Sequence, residues 1–458
     1  MGKTPRKKRT VSNAISLAKS RHSELPTSTK RGILYNPIFH ILLIAIIGLF
    51  VYSNTFNVPF HFDDTPNIVE NNNLKDLSNF WPPSVSRWFG FLTFALNYKL
   101  GALNVTGYHI VNLTIHIINA ILVYWLVVLT FRTPFLNVIA RSGATKQSLH
   151  FEIASPSARN NTTERYSKYI AFFSALIFVS HPIQTQTVTY IVQRFTSLAT
   201  MFCLLSLVMY IKFRMQDSGY RMQDRESKNY ESCIVDHGSK LQSVDSRLKA
   251  RRIKSLFWYL GSVLSAILAM KTKEISFTLP IIIVLYEFMF FKGKIKRRIL
   301  YLIALLLTIL IIPLTLIGID KPLGDVIGEL REAAQETGQI SREVYLLTQF
   351  RVIVTYIRLL FLPINQNLDY DYPVYDSFLN PNVFLSFLFL LSILSLGIYL
   401  LYRSRITKDD RRQTMDDSSL LLRPSSLLLR LTAFGIFWFF ITLSVESSII
   451  PISDVIFE

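Results

Sequence analysis

The chain has 458 residues, of which 50% are hydrophobic and 17% are charged, and its mean hydropathy is +0.33. This composition is too apolar for a soluble domain of that size and indicates an all-α polytopic membrane protein. The formal net charge of +18 is compatible with nucleic-acid binding, but the basic residues lie in tracts between apolar runs, as is typical of cytoplasmic loops. Composition therefore excludes a soluble enzyme and disfavours a nucleic-acid-binding protein.

The first apolar run, residues 33–52, sets the predicted orientation. It is long enough to cross about 30 Å of hydrocarbon. It follows a basic stretch and lacks a small-residue cleavage site, so we interpret it as a retained anchor. A cytoplasmic N-terminus places residues 53–105 outside, in a long loop whose amphipathic stretch 86–100 is expected to lie along the membrane interface.

The rest of the chain alternates between apolar runs and polar loops, and about nine crossings are expected. The later apolar runs are residues 108–131, 169–180, 185–211, 256–270, 275–291, 300–319, 383–402 and 427–445. The predicted organisation is a basic cytoplasmic N-terminus (1–32), a first helix pair with its outer loop (33–131), a cytoplasmic insertion (132–167), a helix pair (168–211), a basic cytoplasmic insertion (212–254) and further membrane helices with acidic outer loops (255–458).

One further apolar run, residues 344–363, is expected not to cross the bilayer. The stretches 320–343 and 369–371 are both acidic and both belong outside, whereas a strongly basic stretch nearer the C-terminus belongs inside. Arg351 and Arg358 lie seven residues apart and therefore share one helical face. We predict an interfacial or re-entrant amphipathic helix here.

The sequence His61-Phe62-Asp63-Asp64 follows the first apolar run, where the chain reaches the outer aqueous side. Two adjacent carboxylates on an extended loop diverge, so one can point into a pocket while the other serves a neighbouring group or a metal. The pattern therefore predicts different roles for Asp63 and Asp64. A solvated loop turn is the alternative.

The second helix has a stripe of polar residues, His109, Asn112, His116 and Asn119. Intervals of three, four and three place these side chains on one face, towards other helices. The stripe predicts interhelical hydrogen bonds or, for His109 near the outer end, contact with a substrate. His109 and His116 are two turns, about 10 Å, apart, which is too far for a shared metal ion.

Several charged residues are candidates for binding an anion. Arg194 follows the turn at His181 within an apolar run, where an unpaired charge is costly to bury. We expect it to meet a lipid-linked phosphate or, alternatively, a structural carboxylate. Lys273 is predicted to contact a phosphate with Glu274 in support, and snorkelling of the lysine is the alternative.

Two further groups of charged residues are candidate binding sites, but their patterns are less specific for one ligand. Arg351 and Arg358 can grip a phosphate together or anchor their helix to lipid head groups. The loop with Asp369 and Asp371 combines aromatic rings and carboxylates, which suits a sugar or a cation as well as a plain polar turn. The sequence has no phosphate-binding loop, zinc-protease motif or hydrolase nucleophile motif, which removes nucleotide-driven transport and the common soluble chemistries.

Five ordered motifs resemble the membrane half of bacterial TPR-containing GT-C glycosyltransferase-like proteins. These are relatives of the eukaryotic transmembrane-and-TPR-containing O-mannosyltransferases and, more distantly, of the protein O-mannosyltransferase and lipid A aminoarabinose transferase groups. The resemblance covers nearly the whole chain outside the two insertions. The motifs are residues 62–64, 95–98 with 107–112, 181–194, 271–274 and 362–373.

The resemblance implies a GT-C-type helical bundle with a large first extracytoplasmic loop. It also implies inverting transfer of a sugar from a polyprenyl-phosphate donor to a hydroxyl of an extracytoplasmic protein or glycan. The family's acidic motif matches Asp63, expected as general base, and Asp64, expected to orient acceptor or donor. The scheme requires no metal, although a divalent cation is compatible with it. Expected substrate contacts are His61, His109, His181, Arg194, Lys273, Glu274, Arg351, Arg358, Asp369 and Asp371.

The sequence departs from the family in one respect. Family members usually continue into further helices and TPR repeats, whereas this sequence shows no 34-residue helical repeat, so we expect a truncated member. The expected location is a bacterial inner membrane with the site on the periplasmic face. A lipid or sugar transporter is a rival, because intramembrane polar residues are equally expected there. A non-catalytic membrane scaffold is the second rival.

Overall fold

The structure, a computed structural model, is entirely helical in its regular elements over the part of the chain that it describes, which confirms the all-α prediction. The chain divides into two compact units, residues 1–43 and 44–458. The predicted N-terminal stretch 1–32, Asp369, Asp371 and most of stretches 132–167 and 320–343 lie outside the described residues. The described residues are 36–83, 86–133, 156–231, 238–317, 341–367, 372–410, 426–445 and 447.

The α-helices are numbered here in chain order. The first seven are α1 (Pro37–Val51), α2 (Trp88–Gly101), α3 (Val105–Phe131), α4 (Pro156–Ser180), α5 (Thr185–Thr189), α6 (Arg194–Glu231) and α7 (Gly238–Met270). The others are α8 (Leu279–Phe290), α9 (Ile295–Leu307), α10 (Ile311–Ile317), α11 (Arg342–Phe361), α12 (Pro381–Asp410) and α13 (Ser426–Leu443).

Six helical stretches of the described chain are long and apolar enough to cross a membrane, so the protein is an all-α polytopic membrane protein. They are Val105–Phe131, Ile191–Asp217, Arg252–Met270, Ile295–Thr315, Arg342–Phe361 and Pro381–Ile406. Three apolar helices are shorter, namely Pro37–Val51, Tyr166–Ser180 and Leu427–Leu443.

Some predicted boundaries differ from the structure. The apolar run 185–211 is interrupted at Tyr190, so that α5 ends before α6 begins. Both α6 and α7 extend into the predicted insertion 212–254, for which the sequence indicated no fold. The run 275–291 begins as a 3-10 turn, and α8 has only 12 residues. Hydropathy locates apolar segments, but it does not report where tertiary contacts end a helix.

The chain after α11 turns back along that helix. The Tyr372 hydroxyl lies 3.0 Å from Thr355 Oγ1, and the Tyr375 amide donates to Thr348 Oγ1 at 3.0 Å. Irregular backbone at membrane depth is tolerated only where protein buries it or where it lines a water-filled cavity. The length and composition of α11 permit a crossing, and its placement at the interface stays a prediction.

The crossing of α6 and α7 is close. Ser206 Oγ donates to the Ser262 carbonyl at 2.8 Å, and Ser262 Oγ donates to the Ser206 carbonyl at 2.9 Å. Small residues let two helix backbones approach, and reciprocal hydrogen bonds satisfy their hydroxyls away from water. The two helices form the centre of the largest buried apolar cluster, together with α8.

A charged network joins α6 to α8 and α9 far from the first outer loop. Glu287 is fully buried and accepts hydrogen bonds from Arg214 Nε at 2.8 Å and Nη2 at 2.7 Å. It also accepts from Arg298 Nε at 3.0 Å and from the Tyr210 hydroxyl at 3.0 Å. Because each of these bonds involves an ionised group, they are stronger than neutral hydrogen bonds. Sequence reasoning did not single out this network.

The outer helix α2 rests against the start of α6 through Gly90. A Cβ added at Gly90 would overlap the Cδ1 and Cε1 atoms of the Phe195 ring, which is itself buried. We expect Gly90→Ala to lower the free energy of unfolding by about 1–3 kcal/mol, the usual cost of overpacking. Thermal unfolding in detergent measures this. Gly101→Ala in the same helix is the control, because its Cβ would lie 3.8 Å from the Asn104 Cβ, an ordinary van der Waals distance. Equal stability of the two variants would contradict the close contact at Gly90.

Candidate functional site

Six of the ten predicted site residues that the structure describes belong to or contact one stretch, residues 188–196, which we call the junction segment. It is rich in β-branched residues, which lose side-chain freedom in a helix. Tyr190 is extended (φ −90°, ψ 110°), a 3-10 turn follows over Ile191–Gln193, and α6 starts at Arg194. The first N–H groups of a helix lack partners within it, so the junction segment offers donors to side chains from elsewhere.

Asp64 takes one of these donors. It is fully buried, and its Oδ1 accepts from the Val192 amide at 2.7 Å. Its Oδ2 accepts from the His61 amide at 3.2 Å and lies 3.8 Å from His61 Nδ1. Burial raises the pKa of Asp64 above its usual value, and the backbone hydrogen bonds offset this only in part. Asp64 therefore fastens the first outer loop to the start of α6.

Asp63, in contrast, is exposed. Its amide donates to the Tyr190 hydroxyl at 3.0 Å, and its carbonyl accepts from Asn67 Nδ2 at 2.9 Å. The Tyr190 ring stacks on His61 with 4.9 Å between centroids. Burial raises the pKa of Tyr190, and the charges of Asp63 and Asp64 add to the effect. The backbone of Asp63 is thus fixed while its side chain is exposed, and the two adjacent carboxylates therefore lie in different environments.

Arg194 lies inside the protein, at the first turn of α6. Its Nε donates to Asn112 Oδ1 at 2.7 Å, its Nη1 to Asn97 Oδ1 at 2.6 Å, and its Nη2 to the Tyr108 carbonyl at 3.0 Å. The guanidinium also lies 4.4 Å from the centroid of the Phe94 ring. The structure gives Arg194 amide, carbonyl and aromatic partners where the sequence suggested a phosphate or a carboxylate, and every guanidinium nitrogen is engaged within the protein.

The polar stripe of α3 faces other segments, as predicted. Each side chain pairs with a backbone carbonyl of another segment, as the alternative of interhelical hydrogen bonds expects. His109 Nε2 lies 2.9 Å from the Val58 oxygen and its Nδ1 3.5 Å from the Val188 oxygen, while His116 Nε2 lies 3.2 Å from the Val179 oxygen. The amides of Asn112 and Asn119 donate to the Ile191 and Ser197 oxygens at 3.2 and 2.9 Å. His109 thus joins the outer loop to α5 and is buried.

Glu274 pairs with an arginine that sequence reasoning missed. Arg87 Nε lies 3.1 Å from both Glu274 carboxylate oxygens, and Arg87 Nη2 lies 3.0 Å from Oε2. Burial opposes ionisation of Glu274, but the hydrogen bonds and charge of Arg87 outweigh it and lower the pKa. The neighbouring Lys273 donates to Thr196 Oγ1 at 2.9 Å. Both residues of the turn therefore contact groups close to the junction segment.

A second group of predicted residues surrounds the end of α11. His181 Nε2 lies 3.0 Å from the Leu360 carbonyl oxygen, and His181 Nδ1 accepts from the Ile183 amide at 3.2 Å. Burial raises the pKa of Tyr372, which packs against α11, and the charges of Arg351 and Arg358 partly offset this shift. Arg358 Nη1 also donates to the Ile364 carbonyl oxygen at 3.4 Å. Asp369 and Asp371 belong to the same loop but lie outside the described residues.

The described residues contain no group of three or more His, Cys, Asp or Glu side chains placed to hold a metal ion. Fold and site together define a helical integral membrane protein in which a loop with two adjacent carboxylates is fixed to the start of a membrane helix. No family model and no solved structure matches the chain.

Curated relatives share part of the sequence. Protein O-mannosyl-transferase TMTC2 of Homo sapiens is 26% identical over 273 residues, which cover 56% of this chain and 25% of the relative. Protein O-mannosyl-transferase Tmtc3 of Drosophila melanogaster is 29% identical over 217 residues, 43% of this chain and 22% of the relative. Protein O-mannosyl-transferase TMTC4 of Mus musculus is 25% identical over 255 residues, 52% of this chain and 28% of the relative.

The chain therefore spans about a quarter of the length of these relatives. The similarities are distant and partial, and they support a relationship to the TMTC-type protein O-mannosyl-transferases.

Proposed function

We propose that this protein is a GT-C-type membrane glycosyltransferase. It moves a sugar from a polyprenyl-phosphate donor to a hydroxyl of an extracytoplasmic protein, with inversion at the anomeric carbon. A bacterial inner membrane with a periplasmic site fits this chemistry. The observation that supports the proposal most is the pair of neighbouring carboxylates, one exposed at Asp63 and one buried at Asp64, on a loop fixed to the junction segment.

The reaction is a single displacement. Asp63 takes the proton from the acceptor hydroxyl while that oxygen forms a bond to the anomeric carbon. The bond from this carbon to the phosphate oxygen breaks, and its electron pair leaves with the polyprenyl phosphate. A general base of this kind contributes typically 10²–10⁴-fold, and a phosphate leaving group needs positive charge more than it needs a proton.

Lys273 is the cation that we assign to the leaving phosphate. Its ammonium contacts Thr196 at the first turn of α6, six residues along the chain from Tyr190, which contacts Asp63. Six residues of helix or 3-10 turn span roughly 10 Å. Arg351 and Arg358 are the second candidate pair for the phosphate. Asp64 and Arg194 are positioning residues in this scheme, because their polar atoms are engaged within the protein.

The proposal is tested by reconstituting the protein in proteoliposomes with a labelled mannosyl polyprenyl phosphate and a Ser- and Thr-containing peptide. Mannose is the first sugar to test because the relatives are named O-mannosyl-transferases. We expect label on the peptide, released by β-elimination and absent without protein. Movement of the labelled lipid across the bilayer with no covalent product would favour the transporter instead.

A further inference from the structure

Phe62, which immediately precedes Asp63, has an unusual backbone. Its φ is 48°, in the left-handed region that a bulky L-residue rarely adopts. Its side chain is also 61% exposed, so burial of the ring does not compensate for the strain. A residue held in a sparsely populated conformation at a candidate site justifies a functional hypothesis that starts from that observation.

The surrounding hydrogen bonds impose this conformation. The Asp64 amide donates to the His61 carbonyl, and the Thr65 amide donates to the Phe62 carbonyl, both at 3.1 Å. The Asp63 amide donates to the Tyr190 hydroxyl at 3.0 Å. The Phe62 and His61 rings form a T-shaped pair, with 5.7 Å between their centroids and an angle of 74° between their planes. The loop therefore holds a phenyl ring at the outer surface next to the exposed carboxylate.

We propose that the Phe62 ring is a binding platform for the acceptor polypeptide, which it holds so that a Ser or Thr hydroxyl reaches Asp63. The ring offers a flat apolar face to a peptide side chain, and its packing against His61 restricts the ring before the peptide binds. The carboxylate beside it accepts the hydroxyl hydrogen bond. This inference rests on the proposed function and names the part of the site that takes the acceptor.

The position of Phe62 favours the acceptor over the lipid-linked donor. A general base must lie within hydrogen-bond reach of the proton it removes, so the acceptor hydroxyl lies at Asp63, one residue from the ring. The cation assigned to the donor phosphate, Lys273, donates instead to Thr196, at the other end of the junction segment from Tyr190. The two substrates thus meet the protein at different ends of that segment.

Phe62→Gly separates binding from folding. Glycine adopts a positive φ readily, so this variant is expected to melt at the same temperature as the wild type or higher. Its KM for the acceptor peptide is expected to rise about tenfold, the order for a lost aromatic contact. The donor KM and kcat should change less than about twofold in the same assay. Phe62→Ala should raise the acceptor KM similarly, and Phe62→Tyr should retain the wild-type value.

Leu100→Ala is the matched control, because Leu100 is an outer-loop apolar residue that is 87% exposed; its acceptor KM should not change. Direct binding of a fluorescent Ser- and Thr-containing peptide in nanodiscs supplies a measurement that needs no turnover. The platform is ruled out if the peptide binds Phe62→Gly as tightly as the wild type, if the wild type binds none, or if the donor KM rises instead. Failure of the proposed function is distinct, since it would appear as peptide binding without any transfer by the wild type.

Discussion

Asp63→Asn is expected to abolish sugar transfer, with kcat lowered by about 10²–10⁴-fold. The amide keeps the shape of the side chain but cannot accept the acceptor proton. The hydrogen bonds of the Asp63 amide with Tyr190 and of its carbonyl with Asn67 do not involve the carboxylate, so they are retained. An exposed substitution of this kind usually changes the free energy of unfolding by less than about 0.5 kcal/mol. Transfer from labelled donor in proteoliposomes measures the loss, and thermal unfolding in detergent verifies folding.

Asp76→Asn is the matched control for that experiment. Asp76 is another carboxylate of the first outer loop, and its Oδ1 accepts from the Ser78 amide at 2.9 Å to cap a 3-10 turn. Asparagine caps a helix about as well as aspartate, so transfer and stability should both be preserved. Full activity in Asp63→Asn would remove this carboxylate from the mechanism.

Arg194→Met is expected to lower the free energy of unfolding by roughly 3 kcal/mol or more. The change leaves the oxygens of Asn97, Asn112 and Tyr108 buried without their donor. It also removes the cation that lies over the Phe94 ring. Urea or detergent unfolding followed by circular dichroism measures the difference. Arg194→Lys should be intermediate, because an ammonium retains the charge but cannot reach all three acceptors with the fixed geometry of a guanidinium.

Arg358→Ala provides the comparison, since Arg358 is exposed and its substitution should change stability by less than about 0.5 kcal/mol. An Arg194→Met protein with wild-type stability and no transfer would return Arg194 to the role of phosphate ligand that the sequence suggested.

The sequence predicted the elements that depend on periodicity. Apolar runs located the membrane helices, and the intervals between His109, Asn112, His116 and Asn119 placed four side chains towards other segments of the protein. The adjacency of Asp63 and Asp64 was enough to predict that the two side chains diverge. These features follow from backbone geometry alone, so they needed no knowledge of tertiary partners.

The partners themselves were not predictable in this way. Arg194 meets Asn97 across 97 residues of chain, and Arg87 meets Glu274 across 187. Nothing local in the sequence distinguishes an arginine that will bind an anion from one that will be surrounded by amide and carbonyl oxygens. The break at Tyr190 was missed for a related reason, because the partners of the broken backbone come from the first outer loop, more than 100 residues away in the sequence.

The helix α6 is fixed at two places that are twenty residues, or about 30 Å, apart. Arg194 binds α2 and α3 at one of them, and Arg214 binds Glu287 of α8 at the other. A transport cycle rocks groups of helices past one another around a central site, and here any rocking of α6 against α2, α3 or α8 would break charged hydrogen bonds. The two sets of hydrogen bonds that hold α6 suit a protein whose helices keep their positions while its substrates bind and leave.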